Sequence, residues 1–362
     1  MAILSMILSN LFWPLPITMY IVETGCILLL VKLLIRLTNG VCSSTNRLDG
    51  KVVIITGSSS GIGLEVMRNL AFRGAKIYMA VPDVDNAKVL RDGTSAESGN
   101  AQIFVKYIDL TSLKSVRDFV EEFLSVESRL DVLINNAGMA AIKKSLTSDG
   151  LETQMACNYF GHFLLTRILL DTMKKSAPSR IISTSSMLHW TCRRINLSDL
   201  NFKKSSSGNG IMEIYATSKT CLILFTRELA KRLHGTGVEA YSVHPGAITS
   251  TAFLNCFPWY FRTFVWALTM MVSKTSVEGA QPIIDLAVSE HIEGESGDYF
   301  VDCKTSVEGA QPIIDLAVSE HIEGESGDYF VDCKVARTSW LAKDEDLARK
   351  LWTATEDIVG IS

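Results

Sequence analysis

One stretch constrains this chain more than any other: residues 51–63, KVVIITGSSSGIG. The run Val52-Val53-Ile54-Ile55 is apolar without alternation, the pattern of a strand covered on both faces. A turn with glycines at 57, 61 and 63 follows, then Leu64, Met67, Leu70 and Ala71 at helical spacing. Strand, glycine turn and helix start together make an anion site. The first-turn N–H groups and the helix dipole face the phosphates, and missing Cβ atoms let backbone and pyrophosphate come close. An ordinary surface turn can carry the same glycines, so the rest of the chain has to decide.

The rest of the chain alternates strand and helix patterns, the signature of a parallel sheet wrapped by helices. Strands are expected at 76–81, 102–108, 130–134, 180–184 and 238–244. Helical spacing covers 113–124 and 151–172, and a loop at about 187–211 precedes a helix carrying Tyr215 and Lys219. The expected fold class is therefore α/β: a doubly wound, Rossmann-type parallel sheet in one domain over residues 48–362. With 47% apolar and 20% charged residues the chain forms a core, and a net charge of −4 argues against nucleic acid as a partner. The cysteines at 26, 42, 157, 192, 221, 256, 303 and 333 form no CxxC pair and no metal-ligand spacing. They read as reduced thiols, and no metal is expected.

Residues 11–31 are almost wholly apolar, with Glu23 the only charge, a length that suits a membrane span. Pro14 and Pro16 bend or shorten its first turn. A cleaved signal peptide would place positive charge before the apolar run. Here Lys32, Arg36, Arg47 and Lys51 all follow it. Positive residues mark the cytoplasmic side, so residues 1–37 are expected to be an uncleaved N-terminal membrane anchor helix with the catalytic domain in the cytosol. A second apolar run, 252–272, has Arg262 as its only charge. Its place inside the strand–helix alternation favours a lid over a hydrophobic substrate, or a dip into the membrane interface, rather than a second span.

Residues 274–303 recur without a change at 304–333. Two copies are too few for a solenoid. Perfect identity points to a recent tandem duplication or an error in assembling the sequence. Each copy encodes one helix and one strand, so two copies compete for one edge position beside the strand at 238–244. One is expected to dock and the other to be a surface excursion.

Tyr215 and Lys219 stand four apart on a helix and share a face. An ammonium beside a phenol favours the phenolate, which makes the tyrosine an acid/base near neutral pH. Ser186 ends a strand and can hold a substrate oxygen. Asn158 can position a water or a helix carbonyl for a proton relay. With these residues in hand, the chain resembles the short-chain dehydrogenase/reductase family over roughly residues 48–360. The resemblance rests on TGSSSGIG at 56–63, Asp109-Leu110, Asn135-Asn136-Ala137-Gly138, Asn158, Ser185-Ser186, Tyr215-Ala216-Thr217-Ser218-Lys219 and His244-Pro245-Gly246. CNYFGHFLLT at 157–166, LFTRELAKRLHGTGV at 224–238 and SGDYFVDCK at 296–304 look like the membrane-anchored retinol dehydrogenases. Removing one repeat copy leaves 332 of the 362 residues, similar to that group's usual length.

The resemblance implies these roles. Tyr215 protonates the carbonyl oxygen in reduction and is the base in the reverse direction. Lys219 lowers its pKa and binds the nicotinamide ribose, Ser186 hydrogen-bonds the substrate oxygen, and Asn158 supports the relay. Gly57, Ser58, Ser60, Gly61, Ile62 and Gly63 would hold the pyrophosphate side. Asp109 and Leu110 would sit near the adenine, Asn136, Ala137 and Gly138 along the adenosine. Pro245, Gly246, Ile248 and Ser250 would line the nicotinamide. His162, His189 and His244 read as packing residues, and Asn135 as a strand brace.

Cofactor choice turns on Val81-Pro82-Asp83. NADP-using relatives place an arginine just after the second strand, where Pro82 stands. NAD-preferring ones put an acid at the end of that strand, and Val81 supplies none. NADP is expected on resemblance, with NAD as the alternative. The expected function is an NADP(H)-dependent oxidoreductase interconverting a hydrophobic alcohol and its aldehyde or ketone, with retinol/retinal foremost. A steroid or lipid-aldehyde reductase and a non-catalytic nucleotide-binding scaffold are the alternatives. The expected location is the endoplasmic reticulum membrane, with the mitochondrial inner membrane as the other option. Oligomeric state is open, a homo-oligomer included.

Overall fold

The computed structural model describes residues 41–141, 143–203, 210–246, 274–289, 296–301 and 337–361, together with Glu23, Gly25 and Cys26. The alternating pattern builds one seven-stranded parallel sheet in the order β3-β2-β1-β4-β5-β6-β7. Its strands are β1 Val52–Thr56, β2 Lys76–Val81, β3 Ile103–Tyr107, β4 Val132–Asn135, β5 Ser179–Thr184, β6 Val238–His244 and β7 Tyr299–Val301. The helices are α1 Gly61–Phe72, α2 Val84–Ser98, α3 Leu113–Val126, α4 Gly161–Lys175, α5 Gly210–Leu233, α6 Ser276–Val288 and α7 Glu345–Val359.

The unbroken apolar run of β1 has its explanation in the two layers around it. Val52 and Ile54 face the core made with α3, α4, α5 and α7, while Val53 and Ile55 face α1 and α6. All four are buried, each contributing on the order of 2 kcal/mol. On the first face α7 braces α5, which carries Tyr215 and Lys219, and α4, which follows the turn bearing Asn158. Trp352 stacks on Phe225 of α5 (ring centroids 5.6 Å apart) and meets Phe163 of α4 at 5.1 Å. The Tyr159 hydroxyl and Thr355 Oγ1 lie 2.9 Å apart.

The helix expected over 151–172 differs from its sequence reading. A short turn at Thr153–Met155 opens into a wider π turn over Ala156–Phe160 before α4 begins. Apolar periodicity cannot show this, because one extra residue in a turn leaves the buried face buried. The expected loop at 187–211 contains short 3₁₀ turns at Met187–Thr191 and Leu197–Asp199.

The first copy of the duplicated segment supplies α6 and β7. β7 pairs in parallel with β6, Ser242 opposite Tyr299 and His244 opposite Val301. Thr275 starts α6 with a reciprocal capping box to Glu278. The second copy, 304–333, lies outside the described residues, as does the apolar run 252–272. Among the described residues no helix is long and apolar enough to cross a membrane. The anchor expected at 1–37 falls outside them, apart from Glu23, Gly25 and Cys26.

Candidate active site

From β1 the chain steps outward to β2 and β3, then returns to pair β4 on the other side of β1. That reversal opens a crevice at the C-terminal ends of β1 and β4, where open α/β sheets bind ligands. The glycine turn lies there. Gly61 has φ +56°, a left-handed conformation suited to glycine, and a Cβ at this position would have no atom within 4 Å. Among the described residues no side chain caps α1 at Ser60, so its first amides are available to a ligand. Gly63 is required by close approach: a Cβ would stand 2.4 Å from the Gly57 carbonyl oxygen and 2.5 Å from Asn136 Nδ2. Open space above a turn of uncapped amides fits a pyrophosphate. Ser58 is buried and donates its hydroxyl to the Ile55 carbonyl at 3.2 Å, so it offers a ligand only its backbone. Ser60 is exposed and Ile62 half-buried.

Thr56 is the floor of this crevice. Its Oγ1 accepts the amides of Asn136 (2.9 Å) and Ala137 (3.0 Å), so the last residue of β1 fixes the loop after β4. Asn136 returns a bond from Nδ2 to the Thr56 carbonyl at 3.1 Å. Below it, His162 Nε2 is 2.9 Å from Thr56 Oγ1, and His162 Nδ1 is 3.1 Å from the Asn158 carbonyl. A carbonyl only accepts, so Nδ1 carries the hydrogen and Nε2 receives the Thr56 hydroxyl's one proton. The ring is neutral, and burial drives its pKa down to about 4.

The Asn158 side chain clamps the same loop. Oδ1 accepts the Met139 amide at 2.8 Å, while Nδ2 donates to the Met139 carbonyl at 3.0 Å and to Ser218 Oγ at 3.1 Å. Ser218 donates in turn to the Tyr215 carbonyl at 2.7 Å, which links the π turn to α5. The Lys219 ammonium is buried, donates to the last carbonyl of β5, Thr184, at 2.8 Å, and lies 5.8 Å from the Tyr215 ring centroid. That bond uses one of its three N–H groups, leaving donors for ribose hydroxyls beside Gly138, whose Cβ position is 3.2 Å from Nζ. Burial lowers the Lys219 pKa to about 8, so it stays charged at neutral pH. Ser185 Oγ donates to the Lys219 carbonyl at 2.8 Å, fixing β5 to α5. Ser186 follows, its Oγ accepting the Leu188 amide at 3.2 Å. Asn158, Tyr215 and Lys219 are thus joined through Ser218 and the end of β5, with Ser186 two residues past Thr184.

Other expectations meet local structure. Asp109 Oδ1 accepts from both Thr111 groups, amide at 2.8 Å and hydroxyl at 2.7 Å, and Leu110 is buried. Asp83 is the N-cap of α2, accepting the Asn86 amide at 3.1 Å. Pro245 and Gly246 directly follow β6, whereas Ile248 and Ser250 lie outside the described residues. Asn135 does brace strand to helix, donating from Nδ2 to Thr166 Oγ1 at 2.9 Å. Beside Asn158, burial pushes the Cys157 thiol up to about 12, which favours the protonated form. Thr56, Ser218, His162 and His189 were not assigned site roles from sequence. A histidine on an apolar helix face carries no sign of what its nitrogens touch.

The chain's likenesses agree with this geometry. A profile described as short chain dehydrogenase matches residues 51–191. Retinol dehydrogenase 11 of Mus musculus is 38% identical over 353 residues, covering 97% of each chain. The crystal structure of an uncharacterised protein from Mycobacterium paratuberculosis is similar at a TM-score of 0.65 and 29% identity, over 89% of this chain and 98% of that one. The RhlG/NADP active-site complex of Pseudomonas aeruginosa shares the fold at a TM-score of 0.56 and 24% identity, over 70% of this chain and 95% of that one.

Proposed function

The chain belongs to the short-chain dehydrogenase/reductase family, and we propose that it is an NADP(H)-dependent enzyme interconverting retinol and retinal or a similar lipid alcohol and aldehyde. One observation carries the reading: a buried ammonium, Lys219, held between the end of β5 and the Tyr215 ring, beside a glycine turn suited to a pyrophosphate. The nicotinamide cofactor, when bound, supplies the hydride in reduction and accepts it in oxidation. The protein's own groups handle the proton. Tyr215 gives a proton to the carbonyl oxygen as charge develops there, and Lys219 favours the phenolate left behind. Ser186 Oγ holds the substrate oxygen in place, and the Asn158 clamp keeps the loop at Met139 from drifting across the crevice. The first-turn amides of α1 and the spare Lys219 donors bind the pyrophosphate and ribose. A steroid or another lipid aldehyde would meet the same groups.

NADP over NAD rests on the resemblance, on the NADP named in one similar structure, and on the 81–83 segment. Val81 offers no acid for a ribose diol, and Asp83 spends a carboxylate oxygen on the α2 cap. The kcat/KM ratio for NADPH over NADH tests this, with at least about tenfold expected, one charge-assisted hydrogen bond's worth. Residues 1–37 as an anchor in the endoplasmic reticulum membrane follow from the sequence pattern. A chain lacking them should be recovered without detergent, and retention in the membrane pellet would point to another attachment.

The decisive test is Tyr215→Phe. It should abolish retinal reduction while leaving NADPH affinity within about twofold, because a general acid acts in the chemical step, not in binding. Undiminished turnover would sink the assignment.

A further inference from the structure

His189 is fully buried directly behind Ser186 and has no part in the chemistry above. Two of its groups hold one carbonyl: its backbone amide lies 3.0 Å and its Nδ1 2.8 Å from the Ser186 oxygen. On the far side of the ring, Nε2 is 3.3 Å from the Ser339 backbone nitrogen. That amide can only donate. Nε2 therefore presents a lone pair, Nδ1 carries the hydrogen, and the ring is neutral. Burial supports this state by lowering the pKa from that of free histidine. The ring edge also packs on Tyr299, centroids 5.0 Å apart at 67°. Tyr299, Ala342 and Ile223 of α5 form a small buried cluster of their own.

The positions of these partners along the chain matter. Tyr299 belongs to the first copy of the duplicated segment, and Ser339 lies beyond the second. One buried side chain therefore touches the first copy, the chain beyond the second, and the turn that bears Ser186. We propose that His189 is a positioning residue for Ser186, and that it holds the serine only while β7 and the segment around Ser339 are docked. Two donors on the Ser186 carbonyl fix its peptide plane. With Oγ accepting the Leu188 amide, the hydroxyl is held in one orientation. Ring tilt is set in turn by Ser339 and Tyr299. This rests on the reading that Ser186 holds the substrate oxygen.

Asparagine and glutamine separate the two halves of the ring. An asparagine amide reaches the place of Nδ1 and keeps a donor for Ser186; a glutamine amide reaches the place of Nε2 and keeps an acceptor for Ser339. With all-trans-retinal and NADPH as probes on the full chain, His189→Gln should lower kcat about tenfold, the size of one buried hydrogen bond. His189→Asn should stay within about threefold, since the Ser186 donor remains. NADPH affinity should not move in either. In a Ser186→Ala background His189→Gln should add almost nothing, because it acts through the serine. Equal losses for Asn and Gln, or a second tenfold loss on top of Ser186→Ala, would overturn the proposal. Should the histidine variants fail to fold, Ser339→Pro removes the amide hydrogen and a hydroxyl that makes no hydrogen bond among the described residues, at a residue whose φ of −56° proline adopts. A fall of about threefold in kcat at constant NADPH affinity is then expected, and an unchanged kcat overturns it. Full activity in Ser186→Ala alone would instead fault the reading of the site, and the role of His189 with it.

Discussion

The two sides of the crevice are each stapled by a buried, neutral histidine, but only one staple takes its support from chain in and beyond the duplicated segment. On the β1–β4 side, His162 joins Thr56 to Asn158, both within about a hundred residues upstream of it. The glycine turn, the loop after β4 and the π turn then close on one another through partners that all precede the duplicated segment. On the β5–β7 side, His189 holds Ser186 locally but takes its own support from Tyr299 and Ser339, 110 and 150 residues further on. The 30-residue repeat stands between those two supports. The β1–β4 side is thus independent of the duplication, while the β5–β7 side depends on its first copy and on chain beyond its second.

If the β1–β4 side is self-contained, its own contacts are where it breaks most sharply. Gly63→Val should have the largest effect on cofactor affinity. The new Cβ meets the Gly57 carbonyl, which is backbone, and Asn136 Nδ2, which bonds to the Thr56 carbonyl, at 2.4 and 2.5 Å. Overpacking against backbone costs up to about 3 kcal/mol, or about a hundredfold in affinity. Titration of intrinsic fluorescence with NADPH measures it, and binding within threefold of the unsubstituted chain would show that the turn is not the cofactor's cradle.

Thr56→Val comes next. It keeps the shape but leaves the Asn136 and Ala137 amides without their acceptor and His162 without its donor. Two stranded amides cost on the order of 4 kcal/mol together, read from urea unfolding. Thr56→Ser keeps the hydroxyl and should recover most of that loss. If valine and serine behave alike, the hydroxyl is not what holds this side together.

This contrast also explains what the sequence could and could not show. The strands, the glycine turn and the Tyr215/Lys219 spacing are local patterns, and each stands in the structure where its letters put it. Thr56 sits inside the TGSSSGIG stretch, yet its partners are about 80 residues away, and no spacing announces them. The π turn at 156–160 is invisible to periodicity because Tyr159 and Phe160 stay buried through it. His162 and His189 look like core histidines, and by burial they are. What makes them part of the site frame is which lone pair faces which backbone group, a fact of tertiary geometry alone. Asp83 shows the reverse: an acid near the cofactor's 2′ position in sequence turns out to be a helix cap.

Acid should weaken both staples, and the self-contained one more predictably. Burial lowers the His162 pKa to about 4, against 6.5 for a free histidine. The unfolded chain therefore binds a proton that the folded one refuses. Stability is full above pH 6.5 and falls as pH drops from there to about 4, by about 3 kcal/mol from this residue. His189 is lowered for the same reason and adds in the same direction. Unfolding free energy measured between pH 7 and 4.5 should slope downward, and His162→Gln should flatten most of that slope. A slope unchanged in the variant would place the acid sensitivity elsewhere.

The smallest effect should come from deleting residues 304–333, and it bears most directly on the β5–β7 side. Removing either copy gives the same polypeptide, so the experiment asks only what the extra 30 residues do. The connection from Val301 to Arg337 shrinks from 35 residues to 5. Loop-closure entropy for a sevenfold shortening sets a ceiling of about 2 kcal/mol of added stability, a rise of a few degrees in Tm. Because the first copy already provides β7 and Tyr299, the His189 contacts survive the deletion, and kcat should change by less than about threefold. A tenfold gain in kcat at constant NADPH affinity would mean that the repeat strains the support of Ser186. A comparable loss would mean that the second copy takes part in that support, and the β5–β7 side would then depend on both.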